Sequence, residues 1–101
     1  MSLTSAQRKF LKSSAHSLKP VVQFGKNGLT NEVIASIEDA LLAHELIKVK
    51  FVQFKDEKSE LARDISEKAN CELVGVLGNI AILFRQHEDL AKRKIDLPKA
   101  S

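Results

Sequence analysis

The sequence contains no tryptophan, no tyrosine, only one cysteine and no long apolar run. Each absence removes a class of protein. Cys71 cannot form a disulfide within the chain, which excludes the disulfide framework of a small secreted domain. No apolar stretch approaches the roughly 20 residues that a membrane-spanning helix needs. The first ten residues are polar and basic and lack the apolar core of a secretory signal. We therefore expect a cytoplasmic protein that does not contact a membrane.

Motifs for catalysis and cofactor binding are also missing. Lys26 follows a glycine, but a phosphate-binding Walker loop would need glycine in place of Pro20 and serine or threonine in place of Asn27. The chain has no GxGxxG dinucleotide fingerprint. Its three histidines are scattered, with no second cysteine to help build a zinc site. We predict no catalytic residues, no metal, no cofactor and no small-molecule substrate. An enzyme whose residues meet only in the folded state remains an alternative.

The remaining composition is that of an ordinary globular domain. Of 101 residues, 44% are hydrophobic and 29% are charged. This suits one domain with one modest core. We expect residues 1–101 to form that domain, with residues 86–101 as a basic C-terminal tail lying against it in extended form.

Charge is distributed unevenly, although the net charge is only +3. Residues 1–31 carry five basic side chains and no acidic one. Residues 32–91 carry seven basic and twelve acidic side chains, and residues 92–101 carry four and one. This asymmetry predicts one basic face and one acidic face. A single lysine is usually just solvated, but a 31-residue opening without an acid favours a surface that binds a polyanion.

Apolar periodicity predicts the element order α-β-α-β-α-β-β. We expect helices over residues 3–18, from 30 or 31 to about 45, and from 56 or 59 to about 69. We expect strands over residues 21–24, 46–54, 71–77 and 80–85. Because helices alternate with strands and a final hairpin follows, the pattern predicts a compact α/β domain with a four-stranded mixed sheet.

Three local signals support these boundaries. Thr4 and Gln7 have the spacing of a capping box at the start of the first helix. Gly78-Asn79, between two apolar runs, predicts a tight hairpin. The continuous apolar run 80–84 predicts a central strand that is covered on both faces.

Gly25-Lys26-Asn27-Gly28 lies between the first strand and the second helix. Glycine allows a sharp turn and close approach of a ligand, and the free N–H groups at a helix start favour an anion. A GXXG loop of this kind holds the nucleic-acid backbone in KH domains. Two glycines also occur in ordinary strand-to-helix connections, so these four residues alone leave both interpretations open.

Basic residues elsewhere could extend a nucleic-acid surface around this loop. The first helix ends just before the strand that leads into the loop, and lysines alternate with apolar residues in the second strand. The chain lacks the interleaved aromatics of an RNA-recognition motif, so we expect shape and backbone recognition with little base stacking. The predicted RNA-binding residues are Gly25, Lys26, Asn27, Gly28, Arg8, Lys9, Lys12 and Lys19, with Lys48, Lys50 and Arg85 as second-rank candidates.

Several ordered motifs resemble the stand-alone bacterial CRM domain, the YhbY-like proteins. These motifs are the helix Thr4 to Ala15, His16-Ser17-Leu18-Lys19-Pro20-Val21-Val22, Gly25-Lys26-Asn27-Gly28-Leu29-Thr30, His44-Glu45-Leu46-Ile47-Lys48-Val49-Lys50, Val76-Leu77-Gly78 with Ile82-Leu83-Phe84-Arg85, and Lys94-Ile95-Asp96-Leu97-Pro98. One departure is Phe84, where family members often carry tyrosine.

The resemblance implies a fold similar to the C-terminal domain of bacterial translation initiation factor three. It also implies RNA binding through the GxxG loop at Gly25–Gly28, and association with precursors of the large ribosomal subunit.

Two functions are therefore open. The first is a monomeric, non-enzymatic RNA-binding protein that assists large-subunit assembly, with ribosomal RNA and precursor particles as partners. The alternative is a protein-interaction module whose acidic middle, residues 32–91, docks a basic ribosomal protein.

Overall fold

The computed structural model describes residues 3–99. Within this range the chain forms three α-helices and a four-stranded mixed sheet in the predicted order, which confirms the predicted fold class. None of these helices combines the length and apolar character of a membrane span. The elements are α1 (Ser5–Ala15), β1 (Val22–Phe24), α2 (Asn31–His44), β2 (Leu46–Phe51), α3 (Lys58–Lys68), β3 (Glu72–Leu77) and β4 (Ile80–Phe84), with 3-10 turns at Lys55–Glu57 and Leu90–Lys92.

The strand order is β1-β2-β4-β3. β1 and β2 are parallel, while β4 is antiparallel to both of its neighbours. The crossover through α3 leads from β2 to the edge of the sheet, and the predicted hairpin at Gly78-Asn79 then inserts β4 between β2 and β3. β1 and β3 are therefore the two edges of the sheet, and the chain segments that follow β1 and β2 leave it at the same end.

Side-chain caps define where the first two helices begin. Thr4 Oγ1 accepts the Gln7 amide at 3.1 Å and Gln7 Oε1 accepts the Thr4 amide at 3.0 Å, which confirms the predicted capping box. Thr30 Oγ1 accepts the Val33 amide at 3.1 Å in the same way. Such caps stabilise a helix by roughly 1 kcal/mol. The cap at Thr30 fixes α2 to begin directly after the glycine loop.

The sheet separates two apolar cores. α2 and α3 cover one face of the sheet, and α1 covers the other together with Ile95 and Leu97 of the tail. Both faces of β4 are buried, because Ala81 and Leu83 point into the first core and Ile82 and Phe84 into the second. This confirms the prediction of a central, doubly covered strand.

Glu45 joins α2 to β2 without a loop. Its backbone lies in the left-handed region at φ 64°, and its side chain is buried. The carboxylate accepts three backbone N–H groups from the tail, from His87 at 2.6 Å, Lys94 at 2.6 Å and Ile95 at 2.8 Å. Burial alone would raise the pKa of Glu45, but these hydrogen bonds outweigh it and hold the pKa below its ordinary value. A single carboxylate therefore fastens the tail to the domain.

The tail deviates from the extended form predicted for it. Between the residues held by Glu45, the segment Leu90–Lys92 forms a 3-10 turn. Asp89 starts this turn, since its Oδ1 accepts the Ala91 amide at 3.0 Å. Further along, the Pro98 carbonyl accepts the side-chain N–H of Gln7 at 2.8 Å, which ties the end of the tail to α1.

Replacing Glu45 with glutamine should lower the free energy of unfolding by roughly 1–3 kcal/mol, because the tail amides lose a charged acceptor. The pKa of Glu45 is lowered in the folded state. Its contribution is therefore fully present above the pKa of the unfolded chain and is lost as pH falls through the folded value. The difference between wild type and Glu45→Gln should be largest near neutral pH and shrink in acid, as measured by urea unfolding.

Glu38→Gln is the matched control, because Glu38 is a half-exposed carboxylate on α2 whose nearest cation, Arg85, lies at 3.9 Å. We expect its effect to stay below about 1 kcal/mol. Equal losses in the two variants would contradict the role given to Glu45. Hydrogen exchange should also accelerate at the amides of residues 87, 94 and 95 only in Glu45→Gln.

Candidate nucleic-acid interface

The loop Gly25–Gly28 is a tight turn at the end of β1. The Gly28 amide donates to the Gly25 carbonyl at 3.1 Å, which closes the turn and leaves Lys26 and Asn27 exposed at its tip. Gly28 has φ +72°, whereas Gly25 lies outside the left-handed region. Only the second glycine is therefore required by the backbone.

The N-terminus of α2 follows the turn immediately. Thr30 caps Val33, so the amides of Asn31 and Glu32 have no hydrogen-bond acceptor among the described residues. Unpaired amides of a first helical turn carry the positive end of the helix dipole. The Gly28 amide is used inside the turn, so the donors that the site offers to an anion include these two amides and the side chains of Lys26 and Asn27.

A cleft of about 480 Å³ lies between the turn and the first turn of α2. Glu32 lines this cleft together with Lys26 and Asn27. The carboxylate of Glu32 opposes the Lys26 ammonium electrostatically, so the cleft itself carries little net charge. A polyanion would therefore depend on further cations around the loop.

Several predicted cations remain free to supply that charge. Lys9, Lys19, Lys26 and Lys50 are exposed, and their side chains have no hydrogen bond or ion pair within residues 3–99. Lys50 of β2 lies directly beside Gln23 of β1 in the parallel strand pair. Lys19 precedes β1 and Lys26 follows it. Three of these four lysines therefore flank the β1 edge, which leads into the loop.

Arg8 and Lys12 lie on the other side of the sheet from the loop. The Arg8 guanidinium donates to the carbonyls of Leu73 and Val74 on β3, where the ladder is irregular. The stem of Lys12 covers Gly75, where an added Cβ would lie 2.8 Å from Lys12 Cε. Three strand spacings, about 14 Å, separate β3 from β1. These two cations cover an edge strand that would otherwise present open carbonyls.

Lys48 and Arg85 also have partners within the chain. Lys48 Nζ donates to the carbonyls of His16 and Leu18, at 3.4 and 3.0 Å, just past the C-terminus of α1. Arg85 follows β4 at the end of the sheet opposite to the loop, and its Nη1 donates to the Ala69 carbonyl at 2.9 Å. Cations at helix C-termini satisfy the last carbonyls and complement the helix dipole. The RNA contacts predicted for them stay predictions.

Sequence reasoning missed an aromatic side chain beside the loop. Phe54 was expected at the end of a strand, but β2 ends at Phe51 and Phe54 adopts φ 57° in the next connection. The residue is 43% exposed, and its ring lies next to Gly28. The sequence did contain a signal that the strand ends before Phe54. The alternation of Ile47, Val49 and Phe51 would place an apolar residue at position 53, but Gln53 is polar.

Neither a metal-binding cluster nor a reactive cysteine is present among the described residues. Within residues 3–99, no cluster of three or more histidine, cysteine or acidic side chains has the geometry of a metal site. Burial raises the pKa of the Cys71 thiol to about 12. The thiol is therefore protonated at neutral pH and is a poor nucleophile.

Comparison with known proteins decides the family. The sequence model of the CRS1/YhbY (CRM) domain matches residues 3–85. The chain belongs to the CRS1/YhbY family. It is 43% identical over 98 residues to a Haemophilus influenzae protein named RNA-binding protein, covering 96% of each chain. It is 36% identical over 97 residues to YqeI of Bacillus subtilis, named a probable RNA-binding protein, covering 95% of this chain and 99% of YqeI.

The family resemblance extends to a solved structure. The solution structure of SAV1595 from Staphylococcus aureus, described as a hypothetical protein and candidate RNA-binding protein, superposes with a TM-score of 0.81 at 39% identity. The match covers 96% of this chain and all of SAV1595. The resemblance to the CRM domain that the motifs predicted is thereby confirmed in sequence and in fold.

The two loop glycines should respond differently to alanine. Gly28→Ala forces a Cβ into the left-handed region and should cost about 1 kcal/mol in the free energy of unfolding. The new Cβ itself would meet Phe54 at an ordinary 3.7 Å, so the cost is one of backbone conformation. Gly25→Ala is the control, because nothing lies within 4 Å of its Cβ position. Equal stabilities of the two variants in urea titrations would contradict this description of the turn.

Proposed function

We propose that this CRM-domain protein is a non-enzymatic RNA-binding protein that assists assembly of the large ribosomal subunit. In this proposal it acts in the cytoplasm as a monomer, and its partners are ribosomal RNA and precursor particles. Two relatives named as RNA-binding proteins align with nearly the whole chain, which supports the RNA part. The main structural support is the exposed Lys26-Asn27 turn placed directly before the unpaired amides of α2.

The proposed contact is with the sugar-phosphate backbone. A phosphate at the loop accepts hydrogen bonds from the amides of Asn31 and Glu32 and from the side chains of Lys26 and Asn27. Helix N-termini bind phosphates in this way because their free N–H groups and dipole both favour an anion. Glu32 weakens the field in the cleft, so the phosphate sits at the outer rim, towards Lys26.

The lysines around β1 widen the contact. Lys19 and Lys50 lie at positions where the backbone of a structured RNA can continue past the loop, whereas Lys9 lies on α1, on the other side of the sheet from the loop. Arg8, Lys12, Lys48 and Arg85 rank lower in this proposal, since each packs against or hydrogen-bonds the protein itself. Backbone contacts of this kind position an RNA without reading its sequence.

The acidic middle region gives less support to docking of a basic ribosomal protein. On α3, the exposed acids Glu60, Asp64 and Glu67 are interleaved with Arg63 and Lys68. This mixed pattern is typical of a solvated helix. The exposed surface of α3 therefore offers no run of one sign to a basic partner.

Lys26→Asp should weaken binding to a short ribosomal RNA hairpin by roughly tenfold, comparable to one charge-assisted hydrogen bond of about 1.5 kcal/mol. The melting temperature should hold, because Lys26 is exposed and has no partner within the described residues. Lys68→Asp, the same charge change at an exposed position on α3, should leave the affinity within about twofold. Equal weakening in both variants would mean that only net charge matters and that the loop is a connector.

Salt dependence distinguishes the RNA proposal from protein docking. With about four to six phosphate contacts, log affinity for RNA should fall against log salt with a slope of roughly −3 to −4. Loss of the Lys26 contact should reduce that slope by about 1. An affinity that does not change with salt would contradict the proposed contacts with the RNA backbone.

The ribosomal part of the proposal needs its own experiment. A tagged chain should sediment with large-subunit precursors in a gradient of cell extract, and ultraviolet crosslinks should map to ribosomal RNA at residues near the loop. The matched control is Lys26→Asp, whose crosslink yield should drop. Crosslinks only to messenger or transfer RNA would leave RNA binding intact and refute the role in ribosome assembly.

A further inference from the structure

Phe54 differs from the three phenylalanines of the two apolar cores, and Phe10 on α1 is the other exposed one, at 36%. Phe24, Phe51 and Phe84 are fully buried, whereas 43% of Phe54 is exposed. A single exposed apolar side chain is common on protein surfaces. The position of Phe54 carries more meaning, because its ring lies against the candidate phosphate loop. We propose that Phe54 is the stacking platform for an unpaired nucleobase whose phosphate is held at Gly25–Gly28. This inference rests on the proposed function.

The ring is held in place on two sides. It makes an edge-to-face contact with Phe24, with ring centroids 6.0 Å apart. Its far end lies 3.7–3.8 Å from the point where a Cβ of Gly28 would be. Because Gly28 has no side chain, nothing projects between the turn and the ring at that point. A ring supported in this way needs little further ordering to receive a base, so binding loses little side-chain entropy.

The backbone of Phe54 is in a conformation that phenylalanine rarely adopts. Its φ and ψ are 57° and 39°, and non-glycine residues enter this region at an energetic cost. The Phe54 carbonyl accepts the Glu57 amide at 3.1 Å, which fixes the turn that carries the ring. If the ring were fully buried, its packing in the core would be enough to offset the energetic cost of this backbone conformation. A half-exposed ring beside an anion site points to binding.

Stacking on the Phe54 ring requires a nucleotide whose base is unpaired. Bases in loops, bulges and single-stranded ends can turn outward and stack on an aromatic side chain, while bases inside a duplex cannot. Stacking tolerates any base because every base has a π face. Lys55 follows Phe54 and is exposed, so a cation is available for the next phosphate. Stacking on Phe54 would be an exception, at one position, to the expectation of little base stacking that the lack of interleaved aromatics gave.

Phe54→Leu and Phe54→Tyr form the matched pair. Both keep a large side chain at the same backbone position, but only tyrosine keeps an aromatic ring, to which it adds a hydroxyl. The probes are an RNA hairpin with an all-adenosine loop and a blunt RNA duplex of the same stem sequence. Phe54→Leu should weaken binding to the hairpin by roughly tenfold and binding to the duplex by less than twofold. Phe54→Tyr should bind both probes like the wild type.

Ring-proton chemical shifts give a direct readout. In the wild type, the Phe54 ring resonances should move upfield when the hairpin is added and should stay in place when the duplex is added. Equal weakening towards both probes in Phe54→Leu would mean that the ring only supports the loop, and would overturn stacking while leaving the proposed function intact. If Phe54→Leu binds the hairpin like the wild type, stacking is also refuted. If the wild type binds neither probe, the proposed function fails together with it.

Discussion

The buried carboxylate of Glu45 is the contact on which the arrangement of this domain depends. It lies where α2 passes into β2, and the backbone carbonyl of the same residue accepts the Arg85 amide at the end of β4 at 2.9 Å. Its side chain holds the tail through three amides. One residue thus ties together a helix, two strands and the C-terminal segment. A buried charge is tolerated here because hydrogen bonds replace the lost hydration.

Fixing one end of α2 also fixes the other. The helix has 14 residues and is a rigid rod of about 21 Å. With its C-terminus held against the sheet by Glu45 and its N-terminus capped by Thr30, it presents the first-turn amides beside the Gly25–Gly28 turn. The candidate anion site is therefore positioned in part by a contact at the opposite end of α2.

The basic side chains divide into those that hydrogen-bond the protein itself and those that have no partner among the described residues. Arg8, Lys48 and Arg85 donate to backbone carbonyls at a sheet edge or past a helix end. The free lysines Lys19, Lys26 and Lys50 lie around β1, with Lys9 on α1. Charge alone does not distinguish the groups, since all are cations in a basic chain. The folded structure distinguishes them, because the strand order and the helix ends leave certain backbone carbonyls without a partner, and the cations beside those carbonyls bind them.

Much of the fold follows from local patterns. The capping residues Thr4 and Thr30, the alternation from Ile47 to Phe51 and the hairpin at Gly78-Asn79 each act over a few residues, so the sequence by itself determined the element order and the glycine loop. The strand order β1-β2-β4-β3 arises only in the tertiary structure. That order moved Arg8 away from the loop and brought Phe54 beside Gly28, because contacts between distant segments depend on packing that no local pattern encodes.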